Sequence, residues 1–296
     1  MKFLICSDGT PASDNATRLA ALIGTPARAQ LTLLGIAESP ADEEPLRQTL
    51  EKQAAELRRG GASEAKIFAR AGDPVTQILA ETSINNYDLV IVGARLKRST
   101  GPFWQSQRTY EVIKSIEPPV LVAIGESQRL SNFLVCTGGK NYIDDAVRLT
   151  GNFAAALGAT VTLLHVMAEP PAVYAQLAEK EEDVDALLDS GSELGRNLKA
   201  EKQSLEKRGV TARVRIRHGF VIEQVFDEMR EGHYQLIVSG SSRARGPLRH
   251  YIMGDLTRSI LNRASCPVLV ARSTSPAVPV NVLSTLWRKL FAAPAR

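Results

Sequence analysis

The chain has 296 residues, 44% of them apolar and 23% charged, and carries a net charge of +4. These values suit a globular protein of two ordinary domains, each able to bury its own core. No run of about 18 apolar residues is present to span a membrane. So mild a charge, with no basic patch interleaved with aromatics, argues against nucleic acid as a partner.

From the N-terminus, short apolar and β-branched runs alternate with longer amphipathic segments. Strands are predicted at about 2–7, 30–37, 65–70, 88–93 and 119–124, and helices near 13–24, 43–60, 74–86 and 106–117. Asp73-Pro74 is a strong helix start, because proline fits the first turn, where no backbone donor is needed. Phe3–Cys6 is too short an apolar run for a signal-peptide core before Asp8 intervenes, so a cytoplasmic location is expected. Further strands are predicted near 132–137, 160–167, 211–217, 235–240 and 267–272. After Arg272 comes a Ser/Pro-rich linker. Val282, Leu283, Leu286, Trp287, Leu290 and Phe291 then recur at helical spacing.

The second half repeats the first. Phe3-Leu-Ile-Cys-Ser-Asp-Gly9 returns as Phe133-Leu-Val-Cys-Thr-Gly-Gly139, and Tyr87-Asp-Leu-Val-Ile-Val-Gly93 as Tyr234-Gln-Leu-Ile-Val-Ser-Gly240. Pro119-Val-Leu-Val122 returns as Pro267-Val-Leu-Val270. The offset grows from 130 to 147–148, which places about 17 extra residues within the charged segment 169–209. They are expected to lengthen the second helix of that copy. Strands that are apolar almost throughout, alternating with helices, describe parallel sheets covered on both faces. The predicted fold is therefore α/β, with two tandem Rossmann-like domains of five parallel strands each, at 1–126 and 131–272. Residues 273–296 follow as a linker and a C-terminal amphipathic helix.

Catalytic and metal motifs are not found. Cys6 and Cys136 occupy one strand position in the two copies, and Cys266 precedes a strand; none has metal-ligand spacing, so all three are expected to be free thiols. His165, His218, His233 and His250 form no metal pair, and His165 is expected to be a structural imidazole at a strand end. Thr137-Gly-Gly-Lys140 lacks the P-loop spacing. With no nucleophile elbow or paired carboxylates either, the chain is expected to bind rather than catalyse.

In a doubly wound sheet, ligands sit at the carboxyl ends of the strands where strand order reverses. The loops at that point are Ser7-Asp8-Gly9-Thr10 and the stretch after Gly93 in one copy, and Thr137-Gly138-Gly139 and the stretch after Gly240 in the other. With Ala71-Gly-Asp-Pro74 and Cys266-Pro-Val-Leu-Val270, these segments make the chain resemble a tandem universal stress protein over about residues 1–272. The resemblance implies the adenine nucleotide alpha hydrolase-like form of the Rossmann-like fold and an internal pseudo-dimer of the two domains. It also makes a homodimer of the whole chain an expected partner state.

The nucleotide-binding branch of that family carries an Asp after the first strand. After the fourth strand come a glycine, two residues, a glycine, nine residues, a third glycine and a Ser or Thr. Glycines there let backbone N–H groups approach phosphates closely, at a positive helix end. On this pattern the first copy keeps Asp8, Gly9 and Gly93, but Leu96, Ser106 and Gln107 stand at the later positions. The second keeps Gly240 and Gly254, with Ser241 and Gly246 between them, Arg243 at the second glycine position, and Asp255 in place of the hydroxyl. Its first-strand Asp has become Gly138.

Each copy has therefore lost a different part, and two readings stay open. In one, the second domain binds ATP (with magnesium) or AMP weakly, through Gly240, Ser241, Arg243, Gly246, Gly254 and Asp255, with Gly138 near the nucleoside. In the other, the pair is a scaffold with another small ligand, or none, in its crevices. The helix Val282–Phe291 would then engage a protein or, as a weaker alternative, an anionic membrane surface.

Overall fold

A computed structural model describes residues 1–93, 107–139, 144–167, 184–243, 251–252 and 254–276. The first half contains β1 (Lys2–Ser7), α1 (Pro11–Gly24), β2 (Gln30–Ala37), α2 (Glu43–Arg59), β3 (Lys66–Ala71), α3 (Pro74–Ile84), β4 (Leu89–Gly93), α4 (Gln107–Ser115) and β5 (Val120–Ala123). The second contains β6 (Asn132–Cys136), α5 (Asp144–Leu157), β7 (Thr160–Met167), α6 (Val184–Asp189), α7 (Glu193–Glu206), β8 (Ala212–His218), α8 (Val221–Gly232), β9 (Leu236–Arg243), β10 (Tyr251–Ile252), α9 (Asp255–Arg263) and β11 (Val268–Pro276). α3 starts at Pro74 as expected, and the Asp73 carboxylate caps it, accepting from the Thr76 backbone N–H at 2.9 Å.

The strands form one sheet in the order β3-β2-β1-β4-β5-β11-β9-β6-β7-β8. Within each half five strands are parallel, and the short β10 pairs antiparallel with β9 off this path. Both faces are covered. Alternate residues of β1 show how: Phe3 and Ile5 join a core with α1, α2, α5 and α7, while Leu4 and Cys6 join another with α3, α4, α8 and α9. Both cores draw on both halves of the chain.

The halves meet through equivalent strands. β5 pairs antiparallel with β11, so that Val120 faces Val270, Leu121 faces Leu269 and Val122 faces Val268. The pairing is that of a twofold axis through two leucines holding the same place in the repeat, and the tandem domains are an intramolecular pseudo-dimer. Phe3 and Phe153 reinforce it with an edge-on contact between β1 and α5, ring centres 5.9 Å apart. Across the other face, Tyr110 on α4 donates to Asn262 on α9 at 2.6 Å.

Arg272 breaks the symmetry. Its counterpart in the first copy is Ile124, yet here a buried guanidinium crosses the seam. Nε donates to the Pro118 carbonyl (3.0 Å), Nη2 to those of Ile113 (2.6 Å) and Ile116 (3.1 Å), and Nη1 to the Ser241 hydroxyl (2.9 Å). A cation thus caps the negative end of α4 from the opposite domain.

Two expectations are corrected. The extra residues of the second copy do not lengthen its second helix, which runs only Glu193–Glu206 against Glu43–Arg59 in the first. A separate short helix, α6, precedes it. The break falls at Ser190-Gly191-Ser192, where Gly191 takes φ +68° and the Ser192 hydroxyl accepts from Gly195 N–H to start a new helix. The residues after Arg272 do not all serve as linker, because β11 continues to Pro276 alongside Ser242 and Arg243. The amphipathic segment 282–291 lies outside the described residues.

Replacing Arg272 by Ile, the residue of the first copy, removes donors from several buried acceptors at once. Urea unfolding should show the whole chain destabilised by at least about 2 kcal/mol, since each orphaned buried acceptor costs about 1–3 kcal/mol.

Candidate functional site

The two crevices open at the carboxyl ends of β1 and β4 in one domain and of β6 and β9 in the other. Their first-strand turns are built alike. Gly9 and Gly139 both take positive φ, +73° and +69°, and each donates its N–H to the hydroxyl two residues earlier, Ser7 at 3.2 Å and Thr137 at 3.1 Å. The chemistry they present differs. In the first domain the Asp8 carboxylate accepts from Thr10 N–H at 3.1 Å and leads into α1. In the second, Gly138 leaves the same place without a side chain, and no described atom lies within 4 Å of where a Cβ would sit.

The second turn is held from beneath. His165 Nδ1 lies 3.0 Å from the Thr137 carbonyl, Asn197 donates to the Gly139 carbonyl at 2.9 Å, and the Thr137 hydroxyl donates to Glu201 at 3.1 Å. His165 therefore does the structural work expected of it. Asn197 and Glu201 belong to α7 and had no motif to announce them. Glu201 corresponds in the repeat to Gln53, which instead donates to Asp14 at 2.7 Å.

A Cβ on Gly93 would press against the Ala12 carbonyl, because α1 starts directly over the end of β4. The residues that correspond to Ala12 and Ser13 in the second copy, 142 and 143, lie outside the described residues. The Gly240 carbonyl accepts from the Thr257 hydroxyl at 2.9 Å, which ties β9 to α9. Gly254 is the N-cap of α9, with φ −65° and ψ 164°, no side-chain cap and nothing described within 4 Å of a Cβ. Asp255 follows it, exposed, in the first turn.

Between those glycines the chain is more regular than the motif suggests. Ser241–Arg243 continue β9, paired with Arg272, Ser273 and Pro276 of β11, and Tyr251 and Ile252 fold back antiparallel onto Arg243 and Ser242. The Ser241 hydroxyl is buried and donates to the Ala271 carbonyl at 3.0 Å while accepting from Arg272. Ser241 thus faces the domain seam, away from the crevice. Gly246 and the Arg243 side chain lie outside the described residues. Gly240, Gly254, Asp255 and Gly138 are brought to one end of the sheet; Asp8, Gly9 and Gly93 lie at the equivalent end of the other domain.

One constellation repeats intact. Glu81 is buried and accepts from Arg70 at 2.7 Å and from Tyr87 at 2.8 Å; Glu228 is buried and accepts from Arg217 at 2.7 Å and from Tyr234 at 2.6 Å. Arg215 adds a further bond to Glu228 at 2.9 Å. Burial alone would raise the Glu228 pKa, but the Tyr234 and Arg217 hydrogen bonds and the Arg215 and Arg217 charges outweigh it and hold the carboxyl below its ordinary 4.5. These networks anchor the third helix of each copy to its outer edge strand.

Cys6, Cys136 and Cys266 are free, and burial pushes each thiol up to about 12. Among the described residues no cluster of three His, Cys, Asp or Glu side chains could hold a metal, and no helix is long and apolar enough to cross a membrane.

Comparison with known proteins agrees with this architecture. The universal stress protein family model matches residues 1–123 and again 130–272. The chain belongs to the universal stress protein family. In the fold, this member resembles a universal stress protein from Archaeoglobus fulgidus DSM 4304 at 18% identity, with a TM-score of 0.68 over 92% of this chain and 98% of that one. It also resembles a functionally unknown protein from Pseudomonas aeruginosa PAO1 at 16% identity, with a TM-score of 0.63 and 92% of each chain covered. No curated protein matches it by sequence.

Two outcomes test these contacts. Gly93→Ala should destabilise the chain by about 2 kcal/mol or more in urea unfolding, through overpacking against the Ala12 carbonyl. Because the Glu228 pKa is depressed on folding, its contribution is present above the unfolded value of 4.5 and is lost as pH falls through the lower folded value. Glu228→Gln should therefore flatten the fall in thermal stability below that pH, measured by circular dichroism melting.

Proposed function

We propose that this tandem universal stress protein is a cytoplasmic stress-response module whose second domain takes up ATP or AMP weakly, while its first domain serves mainly as the docking half of the pseudo-dimer. The observation that carries this reading is Gly254, which stands at the N-cap of α9 with φ −65° and ψ 164° and no side-chain cap. Gly240 and Gly138 stand at the same end of the sheet, at the carboxyl ends of β9 and β6. A phosphate placed at Gly254 would meet the backbone N–H groups and positive end of α9. Asp255 opposes it. A carboxylate about 4 Å from a phosphate charge costs on the order of 4 kcal/mol at an effective dielectric near 20, which is the reason to expect weak binding and a need for magnesium with ATP. Such a site binds without catalysing.

A second reading, a scaffold without nucleotide, is favoured by one specific feature. Ser241–Arg243 spend their backbone in the sheet, and the Ser241 hydroxyl serves the seam, so fewer groups remain to cradle a phosphate than the family motif offers. In either case a homodimer of the whole chain needs a surface other than β5 and β11, since each is already paired on both sides. The segment 282–291 is our candidate for contact with a protein partner, ahead of a membrane surface.

Isothermal titration with ATP and AMP, with and without magnesium, separates the readings. Binding near one site per chain, abolished by Gly254→Val and retained in Asp8→Ala, is the expected result. Absence of heat from both nucleotides would establish the scaffold.

A further inference from the structure

The far end of the second domain holds a cavity that the family site does not use. Its volume is about 270 Å³, and it is lined by Phe226, Met229 and Arg230 of α8, Tyr234 and Ile237 at the start of β9, and Arg263, Ser265 and Cys266 at the end of α9 and before β11. It thus opens at the amino-terminal ends of β9 and β11, opposite to Gly240. Ligand cavities usually run from about 300 to 1,000 Å³, so this one suits a single ring or a short chain better than a nucleotide.

Its chemistry is amphipathic. Phe226, Met229, Ile237 and the Tyr234 ring supply apolar walls. The Arg263 guanidinium lies over the Phe226 ring, 3.8 Å from its centre, in a cation–π contact that leaves its N–H edge available. Among the described residues Arg263 has an aromatic neighbour and no carboxylate in an ion pair. The nearby acids are already engaged: Asp227 pairs with Arg230, and Glu228 with Arg215, Arg217 and Tyr234. Burial keeps the Cys266 thiol neutral, so it adds no negative charge.

The internal repeat provides a control. At the equivalent positions the first copy has Leu79 for Phe226, Thr82 for Met229, Ser83 for Arg230, Ser115 for Arg263 and Glu117 for Ser265. Both cations and the larger apolar groups belong to the second copy, and an acid present in the first is missing there. The shared fold does not require these residues, because the first copy builds the same elements without them.

We propose that this cavity is a second binding site, for a small organic anion that couples one aromatic ring or short apolar chain to a carboxylate, with Arg263 as the carboxylate's partner. The ring would occupy the space beside Met229 and Ile237, and the carboxylate would meet the guanidinium edge at the mouth. The site is independent of the nucleotide reading, being built from the opposite ends of the strands.

Ligand-detected NMR titration of the full chain with phenylacetate, and with the neutral phenylacetamide, tests this. The acid should bind the parent about tenfold more tightly than the amide, the scale of one charge-assisted hydrogen bond. Arg263→Ser, an exposed position carrying the residue of the first copy, should remove that preference, and Phe226→Leu should weaken both ligands. Excess ATP should leave phenylacetate in place. Equal affinity for acid and amide, unchanged binding in Arg263→Ser, displacement by ATP, or absence of binding would each overturn the proposal.

Discussion

A β-strand at the rim of a sheet presents a row of backbone donors and acceptors, and a five-stranded domain of this kind has such a rim beside its fourth strand. Here the two copies solve that problem for one another. Val120–Val122 and Val268–Val270 pair antiparallel, and their side chains are fully buried. Everything else in the molecule is arranged around this seam. Because equivalent leucines face each other at its centre, the second domain must be turned about a twofold axis, which places α1 near α5, Phe3 against Phe153 and α4 against α9.

Covalent linkage lets such a dimer become asymmetric. In a true homodimer any substitution appears on both sides of the axis, and a buried cation at the seam would meet its own copy. In this chain Arg272 has Ile124 as its counterpart and caps the other domain's helix without a like-charged mate. The same freedom explains the crevices. One domain keeps the Asp8 carboxylate, whereas the other has Gly138 in its place and engages Ser241 at the seam. The Arg272–Ser241 bond joins the two asymmetries physically, since one hydroxyl ties the seam to the strand that ends in the second crevice.

What both copies retain is instructive for the same reason. The buried Glu81 and Glu228 with their Tyr and Arg donors are kept on both sides, although burying a carboxylate without partners is costly. Each holds a helix to an edge strand, which every domain of this fold must do for itself. Residues of the proposed ligand crevices diverged, while residues that close the domain did not.

The repeat, the strand and helix order, the parallel sheets and the family were all legible in the residues, because they rest on local periodicity and on spacings of a few residues that survive in both copies. The helix start at Pro74, free cysteines and a structural His165 follow from equally local chemistry. The seam register, the reach of Arg272 to Ile113, Ile116 and Pro118, the turning of Ser241 away from the crevice, and the extension of β9 through Arg243 were not. Each joins groups more than 25 residues apart, where sequence carries no distance information. Glycine illustrates the division best. Gly93 reads along the chain as a phosphate-loop glycine, and only the packing of α1 showed that a Cβ there would meet the Ala12 carbonyl.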